Sequence, residues 1–195
     1  MSVSSNDRVS RKDLRNEMIA RRNRLTPQEI TEKSLEVIEK IAVLPAFQNA
    51  KTIMLYSHIR SELSLDALLS HPASAGKRFV WPLCLPAFQM KALIPGSWKA
   101  GPFGILEPDP ACSREIAPEN LDLVICPGVA FDTNCHRLGM GAGYYDRYLP
   151  KCKNAVVLMA AFEVQKADRI PADAWDFSMD MVVTEKQVYR RSQLC

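Results

Sequence analysis

Glycines, tyrosines and charged side chains crowd into one short stretch, HRLGMGAGYYDRYL, which runs from residue 136 to residue 149. Three of the eight glycines of the chain fall here, at Gly139, Gly141 and Gly143. Alternate glycines let main-chain N–H groups approach a phosphate closely. A helix is expected to follow, and the first turn of a helix favours an anion. The stretch therefore predicts a phosphate-binding loop.

The side chains around the glycines fit the same chemistry. Arg137 can make bidentate hydrogen bonds to a phosphate, and Asp146 can hold Mg²⁺ opposite the phosphates. Tyr144 and Tyr145 offer flat amphipathic faces to a heteroaromatic ring. The alternative is a glycine-rich turn in which the tyrosines belong to the core and Asp146 is a surface residue favoured by the helix dipole.

Two familiar nucleotide-binding patterns do not match the chain. The dinucleotide fingerprint G-x-G-x-x-G requires a third glycine at the position of Tyr144. The Walker A pattern fails at "AGKRF", residues 75–79, because Arg78 stands where Ser or Thr is needed and the upstream glycine is absent. Only the physics shared by these loops, not either motif, supports phosphate binding.

Composition limits the class of protein. The chain has 195 residues, 47% hydrophobic and 24% charged, which is ordinary for one soluble globular domain. It has no apolar run of membrane-spanning length and no apolar segment of a secretory signal. Its six cysteines form no C-x-x-C pair and its three histidines are scattered, so free thiols in a reducing cytoplasm are favoured over a zinc site. We expect residues 1–10 to be frayed and residues 11–195 to form the domain.

Positive charge is concentrated at the N-terminus. Residues 1–24 contain seven Arg or Lys against three Asp or Glu, a net of +4, so the remainder of this +3 chain sums to −1. A broad nucleic-acid surface is therefore not expected. The basic segment indicates a local partner for anions or a solvated helix face, and Arg11 and Arg15, four residues apart, share one face of a helix.

The spacing of apolar residues predicts four helices. The first covers residues 11–24, and the second begins at Thr26, with Glu29 completing a capping box, and continues to about Val43, before Pro45. A third helix is expected to be capped by Ser64 and to stop before Pro72. The fourth is expected over residues 144–152.

Short apolar runs between these helices predict strands. They lie at residues 52–57, 77–82, 89–94, 121–127 and 155–161, with one or two more between 181 and 190. Residues 95–120 are rich in Pro and Gly and are expected to form a long ordered loop. Strands that alternate with helices indicate a single α/β domain of three layers, αβα, Rossmann-like, with a mostly parallel central sheet. The glycine loop would then lie at the carboxyl ends of the strands, where such sheets bind ligands.

The longer stretch FDTNCHRLGMGAGYYDRYL resembles the signature of the 5-formyltetrahydrofolate cyclo-ligase family, F-D-x-x-G-x-R-L-G-x-G-x-G-Y-Y-D. The resemblance extends over most of the chain. It includes RKDLR at residues 11–15, LYSHIRSELSLDALL, FGILEP, LDLVICPGVAFD and MDMVVTE. The long signature is highly specific, whereas the shorter segments would be weak alone.

The chain departs from the family pattern at three positions. Cys135 stands where a glycine is usual, so the turn before Arg137 is expected to differ. Ala142 occupies a place where some members carry a lysine that reaches the nucleotide phosphates. Arg11 replaces a residue that is often lysine, which keeps the charge but changes the geometry.

The resemblance implies an ATP-dependent and Mg²⁺-dependent reaction that converts 5-formyltetrahydrofolate to 5,10-methenyltetrahydrofolate, with release of ADP and phosphate. Transfer of the γ-phosphoryl group to the formyl oxygen makes a phosphorylated iminium; a nearby amine of the folate attacks the carbon, and phosphate departs. The protein mainly has to position two anionic molecules, so no catalytic nucleophile or base is expected.

The resemblance also implies roles for particular residues. Glu62 would meet the pterin, with Trp98 and Tyr145 beside the folate, and Asp146 and Asp180 would ligate Mg²⁺. Arg137 and Tyr144 are also candidate transition-state contacts. The residues implied to contact the nucleotide are Arg11, Arg15, Arg137, Leu138, Gly139, Met140, Gly141, Ala142, Gly143 and Tyr144.

Structural interpretations of these residues stay open at this point. Arg11 and Arg15 could be a solvated helix face, Glu62 the N-terminal charge of the next helix, Trp98 a core residue and Asp180 a surface carboxylate. We also consider two alternative functions: a non-catalytic nucleotide or folate-binding module, and an RNA-binding protein that uses the basic N-terminus. We expect a cytoplasmic monomer that binds small molecules and neither nucleic acid nor a membrane.

Overall fold

The chain folds as a central sheet flanked by helices, in a computed structural model that describes residues 10–101 and 104–192. The helices are α1 (Arg11–Arg22), α2 (Pro27–Ala42), α3 (Pro45–Asn49), α4 (Asp66–Ser70) and α5 (Tyr144–Tyr148). The strands are β1 (Thr52–Met54), β2 (Arg78–Leu85), β3 (Gln89–Ile94), β4 (Trp98–Ala100), β5 (Leu106–Pro108), β6 (Arg114–Ile116), β7 (Leu123–Cys126), β8 (Ala130–Phe131), β9 (Arg137–Leu138), β10 (Val156–Ala160), β11 (Met181–Val183) and β12 (Val188–Arg190).

The eight-stranded sheet has the order β12-β11-β10-β7-β1-β2-β3-β6. Its five central strands are parallel, from β11 through β10, β7 and β1 to β2. Antiparallel strands are added at both edges, β12 on one side and β3 with β6 on the other. The prediction of an α/β fold with a mostly parallel central sheet is confirmed.

Side chains that alternate along the strands form a core on each face of the sheet. Ile53, Ile125 and Leu158 point to the face covered by α2, α3 and α4. Their neighbours Met54 and Val124 point to the opposite face, where α5 packs. Strands that are apolar on both faces are buried on both faces, as expected for a parallel sheet.

Helix α1 belongs to neither face. Its apolar side chains Leu14 and Met18 pack in a third cluster with Val129, Leu138 and Ile170, which follow the carboxyl ends of the central strands. Ser10 caps this helix, since its hydroxyl accepts the N–H of Asp13. The helix is therefore fixed across the carboxyl edge of the sheet, with a charged face directed along that edge.

Several predicted boundaries differ from the structure. The predicted loop 95–120 contains the short strands β4, β5 and β6. Pro45 begins α3 after the end of α2, because proline suits the first turn of a helix. The predicted helix 144–152 becomes α5 followed by a 3₁₀ turn, Leu149–Lys151. The capping box of Thr26 and Glu29 and the strand at 89–94 are confirmed.

The sequence analysis missed the hairpin of β8 and β9, which lies between β7 and the glycine loop. Each strand has two residues, too few for a period to be recognised. The glycine loop therefore follows β9 and not β7, although the hairpin returns it to the same edge of the sheet.

Within the described part of the chain, no helix is long and apolar enough to cross a membrane. The predicted fraying of residues 1–10 lies, except for Ser10, outside the described residues. Five cysteines are described, and all five are free thiols.

The packing of α1 generates a first prediction. Met18 is 2% exposed, so Met18→Ala should lower the free energy of unfolding by about 2–5 kcal/mol, through lost burial and the cavity left behind. Urea denaturation followed by circular dichroism measures this. Lys12→Ala, on the exposed side of the same helix, should change stability by less than about 0.5 kcal/mol. Equal stabilities of the two variants would contradict the packing described for α1.

Candidate functional site

A cleft opens where the order of the parallel strands reverses. From β1 the chain proceeds to β2 and β3 on one side, and from β7 it proceeds to β10 and β11 on the other. β1 and β7 are neighbours, so the loops that follow them diverge at their carboxyl ends. In open α/β sheets this switch point is where ligands bind.

The cleft has a volume of about 310 Å³, within the range of small-molecule sites. It gathers residues from α1, from the loops after β1 and β7, from the glycine loop with α5, and from the segment before β11. The lining residues are Arg11, Arg15, Glu62, Cys84, Pro127, Gly128, Arg137, Gly139, Met140, Gly141, Ala142, Gly143, Tyr144, Tyr145, Asp146, Asp173 and Trp175.

The glycine loop turns with backbone angles that side chains disfavour. Gly141 has φ of +109° and Gly143 has φ of +69°, conformations that favour glycine over any residue with a side chain. Arg147 fixes the turn by donating to the carbonyl oxygens of Ala142 and Gly143, at 2.9 and 3.1 Å. Within the described residues, the N–H groups of positions 140–143 donate to no protein acceptor. The loop, which lines the cleft, thus has amide donors without a protein acceptor.

Two arginines face these donors. The Nε of Arg15 donates to the carbonyl oxygen of Gly139 at 2.9 Å, which places the guanidinium beside the loop. Burial, followed by the charge of Arg11, lowers the pKa of Arg15; the group stays cationic at neutral pH. The guanidinium of Arg15, which has no carboxylate partner among the described residues, and the free N–H groups beside it favour a bound anion at the loop.

Arg137 crosses the floor of the cleft. Its Nη2 lies 2.9 Å from Oδ1 of Asp146, and both side chains are buried, 3% and 10% exposed. Its Nη1 donates to the carbonyl oxygen of Pro127 at 3.2 Å. The Nε of Arg137 is buried and has no partner among the described residues. A buried donor without an acceptor is costly, and a ligand oxygen would satisfy it.

The segment before β11 closes the outer end of the cleft, and the sequence analysis did not identify it. Nη1 of Arg11 lies 2.7 Å from Asp173 and 2.6 Å from Asp176. These carboxylates raise the pKa of Arg11, with the hydrogen bond to Asp176 as the largest cause. Trp175 lies between them in sequence and lines the cleft. Only tertiary contacts bring this segment to α1, so the sequence carried no periodic signal for it.

Glu62 lies at the other end of the cleft and is held in a fixed orientation. Its Oε2 accepts the N–H of Ile59 at 3.2 Å, and its Oε1 lies 3.5 Å from Nη1 of Arg22, a buried ion pair. Burial raises the pKa of Glu62, although Arg22 and the Ile59 N–H oppose this effect. Arg22 was also missed; its spacing from Arg11 and Arg15 on one helix face was the available signal.

The remaining walls are uncharged. Tyr144 donates its hydroxyl to the carbonyl oxygen of Leu85 at 3.3 Å, and burial raises the pKa of Tyr145 well above its usual value. The guanidinium of Arg137 lies 5.3 Å from the centroid of the Tyr145 ring. Desolvation raises the pKa of the Cys84 thiol to about 11, so this cysteine is protonated at neutral pH and is not a nucleophile.

Two predicted ligand-contact residues do not line the cleft. Leu138 is fully buried in the cluster that holds α1, because its position in β9 points its side chain inward. Trp98 lies in β4, where its ring packs edge-on against Trp81 with 5.1 Å between centroids. The other predicted nucleotide-contact and folate-contact residues meet in the cleft.

Asp180 requires a correction, because the structure does not place it with Asp146. It lies at the amino end of β11, where its carboxylate accepts the N–H of Val157 at 2.8 Å and pairs with Arg191 at 3.0 Å. Val157 is near the start of the parallel strand β10, so Asp180 lies toward the edge of the sheet opposite the cleft. A sequence position just before a buried strand could not reveal this, because it does not state which edge holds the ligand.

The segment that holds Asp176 contacts Asp146 through its backbone. The N–H of the next residue, Phe177, donates to Oδ1 of Asp146 at 3.4 Å. Within the described residues, no group of three or more His, Cys, Asp or Glu side chains could hold a metal ion. A metal bound here would therefore need ligands besides protein side chains.

The departures from the family pattern have structural consequences. Cys135 adopts φ of +63°, a conformation suited to glycine and strained for cysteine. Cys135 is buried. The effect of having cysteine instead of glycine at the turn before Arg137 is therefore local backbone strain. Ala142 lines the cleft without a charge, so Arg11, Arg15 and Arg137 supply the positive charge there.

The fold and the cleft define a class: an α/β protein with an arginine- and glycine-lined anion site at a topological switch point. The sequence profile of the 5-formyltetrahydrofolate cyclo-ligase family matches residues 7–185. The chain belongs to this family and is a ligase of folate one-carbon metabolism.

Relatives in distant organisms match over nearly the whole chain. The 5-formyltetrahydrofolate cyclo-ligase of Mus musculus is 28% identical over 200 residues, covering 90% of this chain and 94% of its own. That of Escherichia coli K12 is 28% identical over 177 residues, covering 87% and 97%.

Solved structures give the same result. The NMR structure of Aquifex aeolicus 5,10-methenyltetrahydrofolate synthetase superposes with a TM-score of 0.81 at 34% identity, covering 92% of each chain. A 5,10-methenyltetrahydrofolate synthetase from Mycoplasma pneumoniae shares the fold, with a TM-score of 0.75 at 24% identity, over 90% of this chain and 99% of that one.

The environment of Glu62 generates a prediction about pH. Its pKa is raised in the folded state, so above the ordinary pKa of glutamate the folded chain holds a proton that the unfolded chain has released. The stability of the wild type should therefore fall, relative to Glu62→Gln, as pH rises from about 4.3 through the raised pKa. The loss amounts to about 1.4 kcal/mol for each tenfold decrease that folding causes in the acid dissociation constant of this carboxyl.

Urea denaturation at intervals from pH 4 to pH 8 measures the difference between these two proteins. Glu36→Gln, which removes an exposed carboxylate from α2, controls for the loss of one charge. Parallel stability curves for the wild type and Glu62→Gln would show that burial does not control this carboxylate.

Proposed function

We propose that the cleft binds Mg·ATP beside 5-formyltetrahydrofolate and phosphorylates the formyl oxygen, so that the folate closes to 5,10-methenyltetrahydrofolate with release of ADP and phosphate. The proposal joins the family of the chain to the charge and hydrogen-bonding groups of the cleft. The relatives are named for this folate conversion, and a phosphoryl donor provides the driving force for ring closure.

The free N–H groups of residues 140–143 are the observation that carries the proposal. They lie beside the guanidinium groups of Arg15 and Arg137, and the buried Nε of Arg137 has no partner among the described residues. Neighbouring main-chain donors with arginines form a site for phosphate oxygens. A polyphosphate would satisfy donors that the folded chain leaves without acceptors.

The carboxylates of the cleft fit a magnesium ion. Magnesium is commonly bound by one or two carboxylates together with substrate phosphates and water, so a cluster of three acidic residues is not required. Asp146 is the first candidate ligand. Asp176 is the second, because it precedes Phe177, whose N–H donates to Asp146. When bound, magnesium supplies charge neutralisation on the transferred phosphoryl group.

Arginine pairs neutralise both carboxylates in this structure. Asp146 pairs with Arg137, and Asp176 pairs with Arg11. An entering polyphosphate gives the guanidinium groups a second anionic partner. The carboxylates would then be available to a cation that accompanies the phosphates.

The folate end of the cleft is assigned to Glu62. The carboxylate of Glu62 can accept from the amino and ring N–H groups of a pterin. Arg22 and the Ile59 N–H fix its direction. With the pterin held there, the formyl oxygen is directed toward the phosphates at Arg137, and orientation of the two substrates supplies much of the rate enhancement.

The chemistry then needs few protein groups. The formyl oxygen attacks the γ-phosphorus and ADP leaves. The nearby folate amine then attacks the activated carbon, and phosphate departs with the former formyl oxygen and takes up the proton that the amine loses. Arg15 and Arg137 stabilise negative charge on the transferred group. Cys84, protonated at neutral pH because of its raised pKa, takes no part as a nucleophile.

A direct assay tests the function. Mixing the protein with Mg·ATP and 5-formyltetrahydrofolate should raise the near-ultraviolet absorbance of the methenyl product, with stoichiometric release of ADP. Omission of ATP is the control. Stoichiometric binding of nucleotide and folate without ADP release would instead establish a non-catalytic binding module, the rival function on this fold.

The metal assignment gives a paired prediction. Asp146→Asn should reduce Mg²⁺-dependent turnover by at least about 100-fold, because the amide cannot neutralise the cation at the phosphates. Asp180→Asn is the matched control: it removes the same charge away from the cleft and should keep turnover within about threefold. Steady-state rates over a magnesium titration measure both. The reverse ranking would restore Asp180 as the ligand and remove Asp146.

The compartment and the oligomeric state stay predictions. We expect a monomer, and the spacing of the cysteines favours free thiols in a reducing cytoplasm. Sedimentation of the purified protein measures the oligomeric state.

A further inference from the structure

A tryptophan stands exposed at the mouth of the cleft. Trp175 lines the cleft, yet 59% of it is accessible. Indole offers a large flat apolar face that an aromatic ring of a ligand can cover. The mechanism proposed above makes no use of this residue.

The indole is held in place by contacts on both sides along the chain. Asp173 and Asp176 both pair with Arg11, and the N–H of Asp173 donates to Asp176 at 2.9 Å. The guanidinium carbon of Arg11 lies 5.9 Å from the centroid of the Trp175 ring, within cation–π range. A side chain built at Gly143 would lie 3.7 Å from the indole. The exposed ring is therefore fixed against the glycine loop.

Helix α1 sets the order of the groups along the cleft. At 1.5 Å per residue, Arg15 lies about 6 Å from Arg11 along the axis, and Arg22 lies about 10 Å beyond Arg15. Arg22 marks the Glu62 end, Arg15 marks the glycine loop, and Arg11 marks Trp175. If the pterin lies at Glu62 and the phosphates lie at the glycine loop, the base of the nucleotide lies at the indole.

We propose that Trp175 is the stacking platform for the base of the bound nucleotide and determines the preference for purine over pyrimidine nucleotides. The proposal rests on the proposed function in one respect, that the cleft binds the phosphates of ATP. Stacking on an aromatic ring tolerates any base, but a purine covers more of an indole than a pyrimidine does. Selectivity then follows from ring area and needs no hydrogen bond to the base.

A binding experiment tests this without reference to turnover. In the W81F/W98F protein, Trp175 is the only tryptophan, since the chain has three. ATP should quench its fluorescence to saturation. Inorganic tripolyphosphate should compete with ATP for binding without itself quenching. Equal quenching by tripolyphosphate and ATP, or binding of ATP without quenching, would overturn the role of Trp175.

Kinetics provide the second test. Trp175→Ala should raise the KM for ATP about tenfold, the loss expected for one stacked base, and reduce the ratio of ATP to CTP efficiency toward one. The inhibition constant of tripolyphosphate should stay within twofold, and Trp175→Phe should recover most of the ATP affinity. Leu69→Ala, which trims an exposed side chain on α4, is the control for surface substitution.

The outcomes separate the two proposals. If Trp175→Ala weakens the binding of tripolyphosphate as much as the binding of ATP, the indole only positions the glycine loop and the stacking role is wrong. If the wild type forms no methenyl product, the proposed reaction fails, while the fluorescence titration still decides the role of Trp175.

Discussion

The docking of α1 across the carboxyl edge of the sheet is the contact on which the site depends. Leu14 and Met18 bury one face of the helix against the hairpin of β8 and β9 and the segment near Ile170. The charged face of the same helix carries Arg11, Arg15 and Arg22 along the cleft. Without that apolar contact the three guanidinium groups would be solvated, and neither Glu62 nor Asp176 would have its partner.

Charge is balanced within the cleft before any ligand binds. Arg137 with Asp146 and Arg22 with Glu62 are buried pairs, and Arg11 is shared by two aspartates. Buried pairs add little net stability compared with apolar packing, but removing one partner is costly because the other charge is left unpaired. The pairs are therefore better understood as orienting the groups that meet substrate. Within these pairs, the Nε of Arg137 is a buried donor without an acceptor among the described residues.

The family relationship and the local geometry answer different questions. The family profile over residues 7–185 establishes the family, and a TM-score of 0.81 to a solved structure establishes the fold. They do not state how a chain with Ala142 in the loop and Cys135 at a positive φ assembles its site. The structure supplies an account: three arginines from α1 and β9 provide cations around an uncharged loop, and the strain of Cys135 is confined to a buried turn.

The sequence by itself determined the features that depend on neighbours along the chain. Short apolar runs that alternate with capped helices predicted the α/β sheet. The spacing of Gly139, Gly141 and Gly143 with Arg137 and Asp146 predicted a phosphate-binding loop, whereas most other residues of the cleft were implied by the family resemblance. Contacts distant in sequence could not be derived in this way. Two-residue strands carry no period, so the hairpin that returns the glycine loop to the sheet edge was missed. The segment that holds Asp173, Trp175 and Asp176 has no hydrophobic periodicity. Its position at the cleft is fixed by its contact with Arg11, which is distant in sequence. Tertiary structure also decided which aspartate lies near Asp146, since the sheet edge that a residue occupies is fixed by strand direction and not by the residue's identity.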